Sequence, residues 1–487
     1  MNDAESAQRR KWLALALLAT TQFVIVLDAA IVNVAIPSIG RDLKFFEEDL
    51  TWIPNAYALT FGGFLLLGGR MADLLGRRRL FMVGLVLFSV ASLLGGFATS
   101  EMQLIAARAL QGLGAALLAP SALSMVTNMF AEGSERNKAL GVWGAVSGSG
   151  GAAGVLLGGV LTEYAGWEWV LWVNVPIGVV AALLAPRLLV ESRRETDLRH
   201  FDALGAITVT AGLSLLVFAL VDTINEGWGS TQTLTLLAVS LALIATFVAI
   251  ELRSRDPLMP FGIFRLRTLA GANIVGLLVG ASIFAMFFFL SRYMQQVLGY
   301  SALKAGLSYL PLAIAIILSA GIAAQLVTRL GFKPVLLSGL ALVMVALLWF
   351  AQVPVSGSYV SDLLGPMVIA AIGLGFAFVP VTIAAVSGVS ADESGLASGL
   401  INTSQQIGGA LGLAILGTIA SSKTTDLLGA AQGAPAALPN ALTEGFQLAF
   451  LAGAGFAVIG IVATLAFVRG EDSRAVVGAS PAELPMA

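Results

Sequence analysis

Stretches of mostly apolar residues, each about as long as a bilayer-spanning helix, recur fourteen times along the chain. They fall at roughly 12–39, 51–69, 80–98, 102–130, 139–162, 169–190, 203–221, 233–251, 269–291, 303–328, 334–351, 362–387, 396–420 and 446–468. A helix crosses the hydrocarbon core with about 20 such residues because it satisfies its own backbone hydrogen bonds where water is absent. The composition agrees: 57% of the 487 residues are hydrophobic and 11% charged, against about 25% charged in a soluble domain. Such a chain cannot clothe itself in polar surface, so lipid is its main solvent. Its 54 glycines suit helices that approach one another closely within a bilayer. The expected fold class is an all-α polytopic membrane protein.

The basic patch Arg9, Arg10 and Lys11 followed by an apolar run imitates a signal peptide. The run continues to Ile39, far past the roughly 7–15 residues of a signal core, and reads as a retained first span. An even number of spans puts both termini on one side, and the positive-inside rule chooses which. With a cytoplasmic N-terminus, only Arg41, Lys44, Arg292, Lys304 and Lys423 fall on outer ends and Arg108 lies within a span, leaving 21 of the 27 Lys and Arg on inner segments. Both termini are therefore expected in the cytoplasm.

Two polar inner segments, "ESRRETDLRHFD" (191–202) and "LRSRDPLMPFGIFRLRT" (252–268), bracket the seventh and eighth spans. "MADLLGRRRL" after span two is echoed by "QLVTRLGFKPVL" around the end of span ten, each with Gly and basic residues after an apolar helix. The echo suggests a duplicated plan: a six-helix half over 1–190, an inserted pair over 191–268, a second six-helix half over 269–469, and a disordered tail over 470–487. With no cysteine, disulfides, thiolate catalysis and Cys-ligated metals are excluded. There is no G-x-x-x-x-G-K-[ST] sequence and no plausible metal cluster, and the single His200 lies in an inner loop. ATP hydrolysis, an ATPase subunit, enzymatic hydrolysis and nucleic-acid binding are not expected.

"VLDAAIVNVAIPSI" (26–39) carries one charge, Asp28. A charge at the bilayer centre costs from about 3 to more than 10 kcal/mol and normally faces a bundle interior or a water-filled cavity. The carboxyl lowers that cost by taking up a proton or by finding a cation, and a group held between those options can switch. Arg108 is the candidate cation. Asp28 lies eleven residues before the outer end of span one, ~16 Å, and Arg108 six residues into span four from outside, ~9 Å. Because arginine does not deprotonate, Asp28 is the one clear central proton site. A fixed structural ion pair is the plainer alternative.

Other features cluster. "GGRMADLLGRRRL" (68–80) sets Asp73 and three arginines at the inner membrane edge beside glycines. The basic residues fix topology, while Asp73 with Gly69, Gly76, Arg77 and Arg78 suits a latch between helices. "GSGGAAGVLLGGV" (148–160) spaces Gly150, Gly154 and Gly158 by four, with Gly159 beside them, a seam for close helix approach. "SGLINTSQQIGGALG" (398–412) brings Asn402, Gln405 and Gln406 to depth, either to line a cavity or to bond helix to helix. With Phe23, Asn33, Tyr57, Gln111, Trp143, Met286, Phe287 and Phe378 they are the candidate cavity lining, aromatic and soft in part, although ordinary packing explains each one singly.

Together these motifs resemble the major facilitator superfamily, in particular its fourteen-helix drug:proton antiporter branch of multidrug exporters. "LDAAIVNVAIP" (27–37) is similar to the branch's helix-one signature, "GRMADLLGRRRL" (69–80) to the superfamily's loop 2–3 motif, and "LIAARALQGLGAA" (104–116) to the helix-four motif. "WEWVLWVNVPIG" (167–178) and "GLASGLINTSQQIGGALG" (395–412) are further branch-like runs. The resemblance implies two six-helix bundles around a central cavity plus two extra helices, working by alternating access. It implies Asp28 as the proton-binding acid, Arg108 as its partner and Asp73 with Arg77 as the conformational latch. The helix-five motif of the branch usually reads Gly-Pro, whereas Gly154 here precedes Val155. No additional membrane acid of the kind that selects dications stands in span ten. The expected function is proton-driven export of hydrophobic drugs or antibiotics across a bacterial plasma membrane, with no cofactor beyond the proton gradient. A dedicated exporter of one natural product on the same fold, and a passive facilitator or non-transporting receptor, are the alternatives.

Overall fold

In the computed structural model, residues 3–45, 49–192, 202–254, 257–432, 434–475 and 477 are described. Fourteen helices among them are long and apolar enough to span a membrane: α1 (Glu5–Leu43), α2 (Trp52–Leu75), α3 (Arg77–Gly96), α4 (Glu101–Met129), α5 (Ser134–Tyr164), α6 (Trp169–Leu188), α7 (Ala203–Thr223), α8 (Thr231–Glu251), α9 (Arg267–Val297), α10 (Leu303–Leu330), α11 (Phe332–Phe350), α12 (Tyr359–Val386), α13 (Ala391–Ala430) and α14 (Pro435–Phe467). Local chemistry sets several starts. The side chains of Ser100, Asp202, Ser230 and Ser301 accept from the backbone N–H of Gln103, Gly205, Thr233 and Lys304, capping α4, α7, α8 and α10. No strand occurs among the described residues.

Helices α1–α6 pack as one bundle and α9–α14 as another, while α7 and α8 pair as a hairpin. The bundles meet along two seams, α5 against α10 and α12, and α13 against α2 and α4; α7 lies over α2 and α13. Glycines make the close approaches possible. A methyl on Gly114 of α4 would lie 2.7 Å from the Phe88 backbone nitrogen, and one on Gly84 of α3 2.8 Å from the Gly114 carbonyl. Outward faces stay apolar, as in Ile314, Ile317, Leu318 and Ile322, which run along one side of α10 at helical spacing.

The starts of α1 and α5 are tied by Lys11, whose Nζ donates to Glu135 at 2.6 Å. The far end of the chain docks nearby in the other bundle: Ser473 Oγ accepts from Lys333 N at the start of α11 (2.9 Å), and Asp472 accepts from Thr268 at the start of α9. Lys11 near the start of the described residues and Asp472 and Ser473 near their end thus lie at one face, here the terminal face. Gly470–Ala475, expected to begin a disordered tail, is a short helix held by those two side chains; beyond Ala475 only residue 477 is described.

The sequence echo has a structural counterpart. Gly76 (φ 108°) joins α2 to α3 and Gly331 (φ 84°) joins α10 to α11, both in the left-handed region that favours glycine. Each abuts the chain leaving the sixth helix of its bundle: a methyl on Gly76 would meet Glu191 at 2.7 Å, and one on Gly331 would strike Ser473. The two bundles therefore build the same corner twice.

Candidate functional site

The interior of the first bundle holds a buried ion pair. Asp28 of α1 is wholly buried and Arg108 of α4 is 1% exposed, with Arg108 Nη1 donating to Asp28 Oδ2 at 2.6 Å. Gln111, one turn on from Arg108, donates Nε2 to Asp28 Oδ1 (3.1 Å), and Asn174 of α6 donates Nδ2 to the same oxygen (2.7 Å). Arg108 also donates to the Ile53 carbonyl (3.3 Å) and to Gln111 Oε1 (2.9 Å). Ser92 of α3 accepts from Gln111 at 2.6 Å. The Tyr57 ring of α2 lies 4.5 Å from the guanidinium carbon, and its hydroxyl donates to the Ile25 carbonyl.

This is a carboxylate's bonding set. An ionised carboxyl only accepts, and all three side chains on Asp28 donate to it. The guanidinium keeps its proton, and Asp28 is the one carboxyl of the cluster. Removing a single member of a buried pair commonly costs about 3–5 kcal/mol, because the other charge is stranded. The cluster is assembled entirely from α1, α2, α3, α4 and α6, inside one bundle rather than between the two.

The second cluster lies at the terminal face and does cross between bundles. Asp73, near the end of α2, is fully buried and accepts from the backbone N–H of Gly395 and Leu396 in the first turn of the α-helical part of α13, both at 3.0 Å. Helix starts leave such N–H groups unpaired, and the helix dipole favours an anion there, so Asp73 caps α13 from the opposite bundle. Arg77 holds Asp73 at 2.7 Å and also donates to the Ala391 carbonyl and to Ser192 Oγ. Gly69 admits α13: a methyl there would lie 3.0 Å from Gly399 Cα. Arg78 turns elsewhere, its N–H on Glu191 and its guanidinium on the Leu189 carbonyl. Ser124 and Asn128 of α4 bond Ser394 (2.6 and 2.7 Å), and Asn137 of α5 donates to Thr328 of α10 (3.0 Å).

The Major Facilitator Superfamily sequence profile matches residues 18–413. The chain belongs to that superfamily. It is 39% identical over 468 residues to the puromycin resistance protein pur8 of Streptomyces alboniger, covering 96% of this chain and 92% of that one. It is 41% identical over 436 residues to the cephamycin export protein CmcT of Amycolatopsis lactamdurans, covering 89% and 88%. Its fold superposes on the human organic anion transporter MFSD10 with a TM-score of 0.64 at 15% identity, covering 95% of this chain and all of that one. The protein is thus a multi-pass transporter of the plasma membrane.

Within this major facilitator fold the expected glycine seam divides by face. Gly150, Gly154 and Gly158 pack on Val26, Leu27 and Ile31 of α1, in the same bundle, and Gly159 is buried. Gly141, Gly144 and Gly148 pack on Ala324, Val379 and Ile316 of the other bundle. Gly148 and Gly150 are two residues apart, about 200° around a helix, so one helix presents small residues to both sides. Of the candidate lining residues, Tyr57 and Gln111 belong to the Asp28 cluster, while Trp143 and Met286 are buried in packing. Phe23, Phe287, Phe378, Asn402, Gln405 and Gln406 are half-buried and Asn33 is exposed. Asn33 and Asn402 bond back to Ala29 and Ser398 of their own helices. Gln406 packs at Gly62 of α2 and Gln405 at Gly276 and Gly280 of α9. Sequence reasoning passed over Asn174, Ser92 and Ser394: an uncharged amide or hydroxyl in an apolar helix carries no mark of its partner. Among the described residues no cluster of His, Cys, Asp or Glu could hold a metal ion.

Proposed function

We propose that the protein exports hydrophobic drugs or antibiotics in exchange for protons, by alternating access. The observation that carries this reading is the sealed Asp28–Arg108 pair: one acid, buried in a transporter, whose partner cannot release a proton. The excess of Lys and Arg on the inner segments orients the terminal face toward the cytoplasm. In that orientation the bonds of Asp73, Arg77, Ser124, Asn128 and Asn137 to the second bundle close the cytoplasmic side. Helices α2 and α4 carry members of both clusters, with Arg108 and Ser124 separated by ~24 Å along one helix axis. The cycle runs as follows. Ionised Asp28 holds α4 through Arg108 while the latch is shut. A proton entering from outside cancels that charge, α4 and α2 shift, and the latch opens to the cytoplasm. Asp28 releases its proton inward as substrate binds, and the latch closes again. Proton and substrate need only favour opposite states of the same protein.

The test is uphill export from vesicles with an imposed pH gradient. Parent protein concentrates substrate against its gradient; Asp28→Asn permits only downhill movement. Uphill export by Asp28→Asn at the parent level would refute the coupling. A narrower reading, a dedicated exporter of one natural product, is favoured by relatives named for puromycin and cephamycin. A broad susceptibility panel separates the two, since protection against a single compound supports the dedicated exporter.

A further inference from the structure

Beside the Asp28 cluster, on its terminal-face side, is a cavity of about 10 Å³ lined by residues of α1, α3, α4 and α6. That is about the space one water molecule requires. Its wall is apolar, with Ile25, Phe88 and Leu118 among its members, except where Thr21 and Asn174 reach it. Asn174 is 1% exposed and donates Nδ2 to Asp28, while its Oδ1 has no partner in the protein. A buried amide oxygen without a partner is costly. Thr21 donates its hydroxyl to the Leu18 carbonyl, which leaves its oxygen free to accept. Next to the cavity-lining Gly178, Ser89 Oγ also has no protein partner. Thr21 lies seven residues before Asp28, ~10 Å nearer the terminal face.

We propose that this cavity binds one water molecule and that Asn174, with that water, is the positioning residue that serves both protonation states of Asp28. The inference rests on the proton-coupling reading above. With Asp28 ionised, Asn174 Nδ2 donates to the carboxylate and Oδ1 accepts from the water. When Asp28 takes up a proton on Oδ1, that oxygen becomes a donor. The amide of Asn174 then turns over, so that its Oδ1 accepts from the carboxyl and its Nδ2 donates to the water oxygen. One proton is gained by Asp28, no other group ionises, and Arg108 keeps its bonds to Gln111 and the Ile53 carbonyl. An amide fits this place because it offers a donor and an acceptor on opposite sides; the water supplies the complement in either orientation.

The test is infrared difference spectroscopy of the purified full-length protein between high and low pH, in ordinary water and in water labelled with oxygen-18. The expected parent spectrum contains a protonated-carboxyl band that vanishes in Asp28→Asn. It also contains an amide side-chain band and a confined-water O–H band displaced by the oxygen-18 label. In the near-isosteric Asn174→Leu the amide and water bands vanish while the carboxyl band remains. A parent spectrum in which Asp28→Asn removes no carboxyl band overturns the proton-coupling reading and this inference with it. An Asp28 band accompanied by no label-sensitive water band, or amide and water bands that persist in Asn174→Leu, overturns this inference alone. The parent measurement stands even if Asn174→Leu does not fold.

Discussion

The two bundles share a plan but fill it oppositely. In the first, α1, α3 and α6 bring Asp28, Ser92 and Asn174 together around the guanidinium from α4. In the second, the corresponding α9, α11 and α14 bring together Phe289, Phe350, Phe446 and Phe450, with ring centroids 5.3 to 6.3 Å apart. The first bundle buries Asp28, Arg70, Asp73, Arg77 and Arg108, whereas α9–α14 bury no charged side chain among the described residues. Under the proposed coupling one half changes its charge state, while the other holds its shape by ring packing, which no proton alters. The Asp73 cluster joins them with an acid from the first and backbone N–H groups from the second. In the proposed mechanism, response to protons is concentrated in one bundle and read by the other.

The largest effect should come from breaking the charged filling. Arg108→Leu strands Asp28 and should lower stability to unfolding by about 3–5 kcal/mol, whereas the double change Asp28→Leu with Arg108→Leu should restore most of that loss and still abolish uphill transport. Thermal unfolding in detergent, paired with vesicle transport, checks both. Breaking the aromatic filling should separate the halves: Phe450→Ala should cost about 3 kcal/mol yet leave the protons released per substrate bound unchanged. A change in that ratio would deny the division of labour.

The charged half was the more legible of the two from sequence. Asp28 and Arg108 stand out because a charge in an apolar run has few tolerable surroundings, and helix rise put both in the outer half of the membrane, ~7 Å apart in depth, an offset long side chains can close. Asp73 stood out for the same reason, but its partners are backbone N–H groups in the first helical turn of α13, which no residue type announces. The aromatic cluster was illegible, since a phenylalanine in a membrane helix reads alike whether it meets lipid, a cavity or another ring. The two faces of α5 were not told apart, because glycine spacing marks a close approach without naming the helix that makes it: Gly150, Gly154 and Gly158 meet α1, whereas Gly141, Gly144 and Gly148 reach the other bundle.

Smaller effects sharpen the coupling between halves. Asp73→Ala removes a cap worth about 1–2 kcal/mol, so the equilibrium should move toward terminal-face opening by roughly 5–30-fold. Spin labels on paired cysteines at that face, introduced into this cysteine-free chain, would report longer distances. Smallest of all, a methyl on Gly148 would lie 2.5 Å from Ile316 across the seam, while one on Gly154 would lie 2.7 Å from Leu27 and Ala30 within the bundle. Gly148→Ala should slow transport with little change in unfolding temperature, and Gly154→Ala should lower the unfolding temperature more.

The most direct measurement is proton release from the purified transporter when an exported compound is added in weakly buffered solution. Parent protein should release protons on substrate addition, and Asp28→Asn, folded and binding the same compound, should release none. Equal release from both proteins would mean that the exchanged proton resides on another group and that Asp28 and Arg108 are a structural pair.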